Sequence, residues 1–243
     1  MPSTFVFLLI FIGFSIKLPM WPLHGWLPDA HTDAPTAASV LLAGLLLKMG
    51  GYGILRICYF IMPSEAIELS TIISIFGAIS VIYGALLTLK QTDLKRIVAF
   101  SSVSHMGYIL IGLSAFASED KMFQKLGLSG ASFQMVSHGL ITGLLFYLVG
   151  IIYEKCKTRE VSLLGGLATQ FKFTSVALAI SGMASLGLPG TSGFVSELMI
   201  FMGGFSKYSI TTSISVFGVV LAAGYILWML QRVIYGELNP KYS

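Results

Sequence analysis

Apolar residues fall in long unbroken blocks along this chain, without the period-two alternation of barrel strands. The stretches 69–89, 97–118, 126–153 and 208–231 contain no Asp, Glu, Lys or Arg. Each reaches the roughly 20 residues that an α-helix needs to cross a hydrocarbon core. Three further blocks hold only one or two such charges: 4–28 has Lys17, 34–64 has Lys48 and Arg56, and 173–206 has Glu197. Reading the blocks between polar breaks predicts seven crossings, at about 4–24, 36–60, 67–89, 97–117, 131–153, 173–203 and 209–232. A backbone in lipid must satisfy its own hydrogen bonds, so all seven are expected to be helices. The expected fold is a single transmembrane domain over residues 1–243, an all-α polytopic membrane protein.

Composition agrees with the pattern. Only 26 of 243 residues are charged, 55% are hydrophobic, and the mean hydropathy is +0.84; soluble domains carry about a quarter charged residues. The net charge of +4 is small and scattered over loops, which argues against a nucleic-acid partner and leaves lipid as the surroundings. Loop charge also orients the helices. One side collects Lys90, Lys95, Arg96, Lys155, Lys157, Arg159, Lys172, Arg232 and Lys241; the other has Lys121, Lys125 and Lys207, with Arg56 at a helix end. The positive side is expected to face the cytoplasm, matrix or stroma. Cys58 and Cys156 fit no metal or haem-attachment spacing. The N-terminal block is no signal peptide by pattern, because Lys17 lies within it and no basic segment precedes it.

Two crossings carry helix breakers at membrane depth. The first runs into Lys17-Leu-Pro19-Met-Trp-Pro22 and then Gly25-Trp-Leu-Pro28; the sixth is interrupted by Gly187-Leu-Pro189-Gly190-Thr-Ser-Gly193. Proline removes a backbone donor and clashes with the preceding turn. Irregular backbone inside a membrane survives only where protein or water surrounds it, and in transporters such breaks mark ion paths. The similarity of Lys-Leu-Pro at one break to Gly-Leu-Pro at the other hints at an internal repeat.

A charge at the bilayer centre costs about 2.5–3.5 kcal/mol on insertion scales, so each ionisable residue there demands a reason. Lys17 stands directly before the proline break, where the alternative to function is snorkelling to a headgroup. Lys48 lies about twelve residues into its helix, too deep for snorkelling, among Ala43, Gly44, Gly50, Gly51 and Gly53. Small residues there let neighbouring helices close around the ammonium. Glu197 follows the second break and is expected either to relay protons or to pair with a lysine. His105 and His138 sit inside the fourth and fifth crossings, each a candidate proton shuttle or a packed, hydrogen-bonded residue. A haem held by two histidines is the competing reading, and it lacks a second matched pair. His24, Asp29, His31 and Asp33 match no metal template and read as a solvated loop, with Asp29 and Asp33 available to cap the next helix. Asp93 with Lys95 and Arg96 reads as a loop charge cluster.

These residues carry a resemblance. The run from Lys17 through Pro35, then Leu41-Leu-Ala-Gly-Leu-Leu-Leu-Lys48-Met-Gly, Gln91-Thr-Asp-Leu-Lys95-Arg96, Ser101-Ser-Val-Ser-His105-Met-Gly107, Ser137-His138-Gly139 and Leu188 through Glu197 resembles, in order, the chain 4 family of NADH:ubiquinone oxidoreductase. That family takes in subunit M of the bacterial enzymes and its counterparts in cyanobacteria and plastids. The resemblance covers nearly the whole chain. It implies an antiporter-like, proton-translocating subunit of a membrane arm, built on two inverted five-helix repeats with two discontinuous helices. Residue by residue it implies that Lys17, Lys48, His138 and Glu197 form a proton relay, with His105 a further candidate. It implies no cofactor in this chain, with NAD(P)H or ferredoxin, flavin, iron–sulfur and quinone chemistry elsewhere in the complex, and antiporter-like sister subunits as partners. The location implied is an energy-coupling membrane: mitochondrial inner, bacterial plasma or thylakoid. Members have about fourteen crossings and this chain about seven, so a fragment, half of a split gene product or an incomplete sequence is expected. The first repeat's own glutamate, partner of the Lys17 equivalent in the family, is not among these residues. A cation/proton antiporter or hydrogenase subunit, and a purely structural bundle, are the other readings.

Overall fold

The computed structural model describes residues 2–237, so Lys241, counted above among the positive side's charges, lies outside them. Eleven α-helices, α1 to α11, follow one another, and no named strand occurs among the described residues. Helix α1 covers Pro2–Lys17 and α2 covers Trp26–Asp33. Next comes a continuous helical rod, Thr36–Tyr59, made of α3 (Thr36–Leu41), a π-helical turn (Leu42–Leu46), α4 (Leu47–Gly53) and a second π-helical turn (Ile54–Tyr59). Helices α5 (Pro63–Leu89), α6 (Leu94–Ser114) and α7 (Lys121–Cys156) are long. The short α8 (Leu167–Gln170) leads into α9 (Lys172–Ser185), α10 (Ser192–Phe205) and α11 (Ser209–Ile234).

Five helical stretches among the described residues are long and apolar enough to cross a membrane: Thr36–Tyr59, Pro63–Leu89, Leu94–Ala117, Lys121–Cys156 and Ser209–Ile234. The remaining apolar helices are half-length. At 1.5 Å per residue the 14-residue α9 and α10 are each about 21 Å long, short of a core about 30 Å thick. They belong together as one interrupted element, and α1 with α2 forms the other.

Local chemistry explains the ends. Asp93 caps α6, accepting from the amides of Lys95 at 2.8 Å and Arg96 at 3.1 Å. Asp120 caps α7 through the Met122 amide at 2.7 Å, so that helix starts ten residues before the apolar block expected at 131 and carries Lys121 and Lys125 on its polar first turns. Pro63 occupies the first turn of α5, where its missing donor costs nothing.

Helix α6 is enclosed by α2, α5, α7 and α10, and its apolar window is wholly buried. A helix apolar on all sides shows no face in its sequence. Apolar residues pack in two large clusters. One joins Leu94–Ala99 of α6 to the Leu145–Ile152 part of α7 and the Ala222–Ile234 part of α11; the other joins Val103–Leu113 to α1, α4 and Ala131 and Met135 of α7. Between them α6 buries Ser101, Ser102, Ser104 and His105, and α7 buries Gln134, Ser137 and His138.

The loops rich in positive charge meet at one end. Lys95 Nζ donates to the Ala34 carbonyl at 2.7 Å, and Arg159 donates to the Thr32 carbonyl at 3.0 Å and lies 3.2 Å from Asp93. Lys207 and Glu119 pair at 3.6 Å at the other end. Two expectations need correction here. Residues 26–33 are helix rather than solvated loop, and neither Asp29 nor Asp33 caps the following helix, which starts after Pro35 without a side-chain cap. Asp29 instead pairs with Arg96 at 3.2 Å. His31 is fully buried, stacked on Phe146 with ring centroids 4.3 Å apart.

Candidate functional site

The second break is made by glycine. Gly187 and Gly190 have φ of 75° and 97°, conformations that side-chain-bearing residues rarely adopt. A turn between α9 and α10 results, held by Gly187 N–H to Ala184 O at 3.3 Å and Thr191 N–H to Leu188 O at 3.0 Å. Gly187 also leaves room for a carboxylate: a Cβ there would stand 2.7 Å from Glu197 Oε2. Glu197, one turn into α10, is 4% exposed.

Glu197 Oε1 lies 3.4 Å from His105 Nδ1 on α6, and Gln134 Nε2 of α7 approaches the same nitrogen at 3.5 Å. Gln134 Oε1 in turn accepts from Ser196 Oγ, next to the glutamate. The His105 ring stands 5.1 Å, centroid to centroid, from the His138 ring on α7. Both histidines are 3% exposed. Among the described residues neither His138 nitrogen has a hydrogen-bond partner, and neither does His105 Nε2.

Lys48 closes the row. It is buried, and its ammonium donates to the carbonyl of Ala43. The π-turn explains that acceptor. Leu47 N–H reaches Leu42 O, five residues back, rather than Ala43 O, its α-helical partner, and so leaves the Ala43 oxygen open to the lysine. Close approach does the rest: a Cβ at Gly139 would stand 2.7 Å from Gly44 O and 3.6 Å from Lys48 Cε. Only a hydrogen at Gly139 lets α7 approach this part of the rod so closely, one residue from His138, which lies in the field of the Lys48 charge.

Lys48, His138, His105 and Glu197 therefore form one buried row across the rod, α7, α6 and α10. Beside it lies a cavity with about 10 Å³ of room for a water centre, lined by both histidines, Gln134, Ser137, Ser185 and Glu197. That is about one water molecule. It is far too small for a haem between His105 and His138, and among the described residues no group of three His, Cys, Asp or Glu is placed to hold a metal ion. Lys17 stands apart. It ends α1 on an exposed surface, while the break behind it packs on the rod, where a Cβ at Gly50 would meet Leu18 N at 2.7 Å. Sequence reasoning missed Gln134, Ser185 and Ser196. Gln134 was findable, since it precedes His138 by four residues and shares its helix face.

Fold and site define an antiporter-like membrane helix bundle with two discontinuous helices and a buried row of ionisable side chains. The chain belongs to the NADH:quinone oxidoreductase/Mrp antiporter transmembrane family, whose sequence profile matches residues 1–222. It is 45% identical over 236 residues to NADH-quinone oxidoreductase subunit M of Rhodobacter capsulatus, covering 97% of this chain and 45% of that one. The fold is similar to a chain of respiratory complex I from Thermus thermophilus, with a TM-score of 0.90, 28% identity and coverage of 97% and 49%. It is also similar to a chain of the Mrp complex from Dietzia sp., with a TM-score of 0.88, 26% identity and coverage of 96% and 42%. The chain spans about half the length of the curated relatives it matches.

Proposed function

We propose that this chain carries protons within the membrane arm of a respiratory-type NAD(P)H or ferredoxin:quinone oxidoreductase, beside antiporter-like sister subunits. The observation that carries this reading is the buried row Lys48, His138, His105, Glu197, in which His138 lies in the field of the Lys48 charge, the two imidazole rings stand 5.1 Å apart and His105 lies 3.4 Å from Glu197. Each member can bind and release a proton, and the row ends at a glycine-built break. Lys17, at the other break, is the input side of the relay, and a change of charge near it drives the Lys48 proton toward Glu197. Electron transfer and its cofactors belong to other subunits.

Replacing Lys48 with Ala in the assembled enzyme should abolish proton translocation in membrane vesicles, and Lys48→Arg, which keeps the charge, should impair it less. Normal translocation by Lys48→Ala would refute the relay. The likeness to the Mrp chain keeps a second reading in view, exchange of a cation against protons. Sodium-dependent transport in the absence of quinone turnover would favour it.

A further inference from the structure

A proton on Glu197 still needs a way out of the membrane, and the relay itself provides none. Among the buried polar groups that the relay leaves unused are two phenols. Tyr108 and Tyr225 are almost fully buried, both interact electrostatically with Glu197, and neither hydroxyl has a partner among the described residues. Tyr108 continues the row, its ring 5.9 Å from that of His105. Its hydroxyl rests against α11 at Gly218, where a Cβ would come within 2.8 Å of it.

From Gly218 toward the charge-poor end, α11 places Ser215 and Thr211 on one helix face, three and seven residues back, and Tyr208, the residue that precedes the helix, follows three residues further on. Helix α5 answers with Ser74 and Ser70, four residues apart on its own face. The two helices join hydroxyl to hydroxyl: Ser74 Oγ to Thr211 Oγ1 at 2.5 Å and Ser70 Oγ to Tyr208 Oη at 2.5 Å. Ser215 bonds back to the Thr211 carbonyl at 2.8 Å. Ten residues at 1.5 Å each bring this ladder about 15 Å from Gly218 to the end where Lys207 pairs with Glu119.

Paired hydroxyls between membrane helices commonly act as glue. Glue accounts for the two α5–α11 bonds and gives no reason for a buried, unpartnered phenol directed from the relay toward the same seam. We infer that Tyr108 and the hydroxyl ladder between α5 and α11 form the proton outlet from Glu197 to the charge-poor side. This rests on the relay reading above. Each hydroxyl takes a proton on its oxygen and gives up its own, with water bridging the wider intervals. The net change is one proton lost from the Glu197 carboxyl, which becomes carboxylate, and one released beside Tyr208.

The test uses inverted membrane vesicles carrying the assembled complex, reading proton translocation per quinone reduced. Glu197→Gln tests the relay; Tyr108→Phe and the double variant Ser74→Ala with Thr211→Val test the outlet. Phe201→Leu loosens the ring packed 5.5 Å from Tyr108 without removing a hydroxyl and serves as the packing control. The outlet predicts that Glu197→Gln abolishes translocation, that both outlet variants reduce it at least threefold, and that Phe201→Leu changes it less than twofold. Wild-type yield in both outlet variants beside a dead Glu197→Gln overturns the outlet and leaves the relay standing, as does an equal loss in Phe201→Leu. Normal translocation by Glu197→Gln overturns the relay itself.

Discussion

The two breaks interrupt their helices by different means. Near Lys17 the chain uses Pro19 and Pro22, which delete donors; the next free amide, Trp21 N–H, is satisfied from outside by Ser80 Oγ of α5 at 3.0 Å. Near Glu197 it uses glycines with positive φ, and the turn bonds to itself. The ionisable residues differ in step with this: Lys17 is exposed on its helix end, whereas Glu197 is enclosed by α6, α7 and its own break. A glycine break can hold a carboxylate within one chain. The proline break presents its lysine outward.

The sharpest way to break this comparison is Gly187→Val. It forces a β-branched residue into a conformation costing on the order of 1–3 kcal/mol and drives a side chain into the Glu197 carboxylate. The expected result is loss of translocation together with a marked drop in thermal stability in detergent. Gly139→Leu should come next, separating α7 from the rod at Gly44; cross-linking between cysteines placed on the two helices should weaken as translocation falls. Ser196→Ala removes the donor to Gln134 and should cost about 1–3 kcal/mol, read by denaturation, because the amide oxygen stays buried. Lys17→Met should shift stability by no more than about 0.5 kcal/mol, as an exposed substitution does, while lowering translocation. A large stability loss there would erase the contrast between the breaks.

Much of the fold was legible in the sequence because lipid leaves few choices: apolar blocks, the charges left inside them and the proline and glycine punctuation are compositional facts. The row of ionisable residues was legible only as separate suspects. His105 and His138 sit on different helices, and nothing in spacing says that their rings stand side by side. His31 was misread because a helix of eight residues rich in Asp, Thr and His has the composition of a loop; its burial comes from α6 and α7 covering it. Lys95 belongs to the charged cluster its sequence position suggests, but no spacing reveals that its ammonium reaches a carbonyl 61 residues away. The π-turns carry no compositional mark at all, being a change of hydrogen-bond register.

That register has a meaning in chain length. A π-turn is where a helix absorbs one surplus residue while the faces on either side keep their alignment. Removing a single residue between Gly44 and Leu46 would therefore restore an ordinary helix with Lys48 still aimed at α7, yet hand the Ala43 oxygen back to the backbone. In this rod a deletion is a finer instrument than a substitution: it separates where the lysine points from what holds its proton.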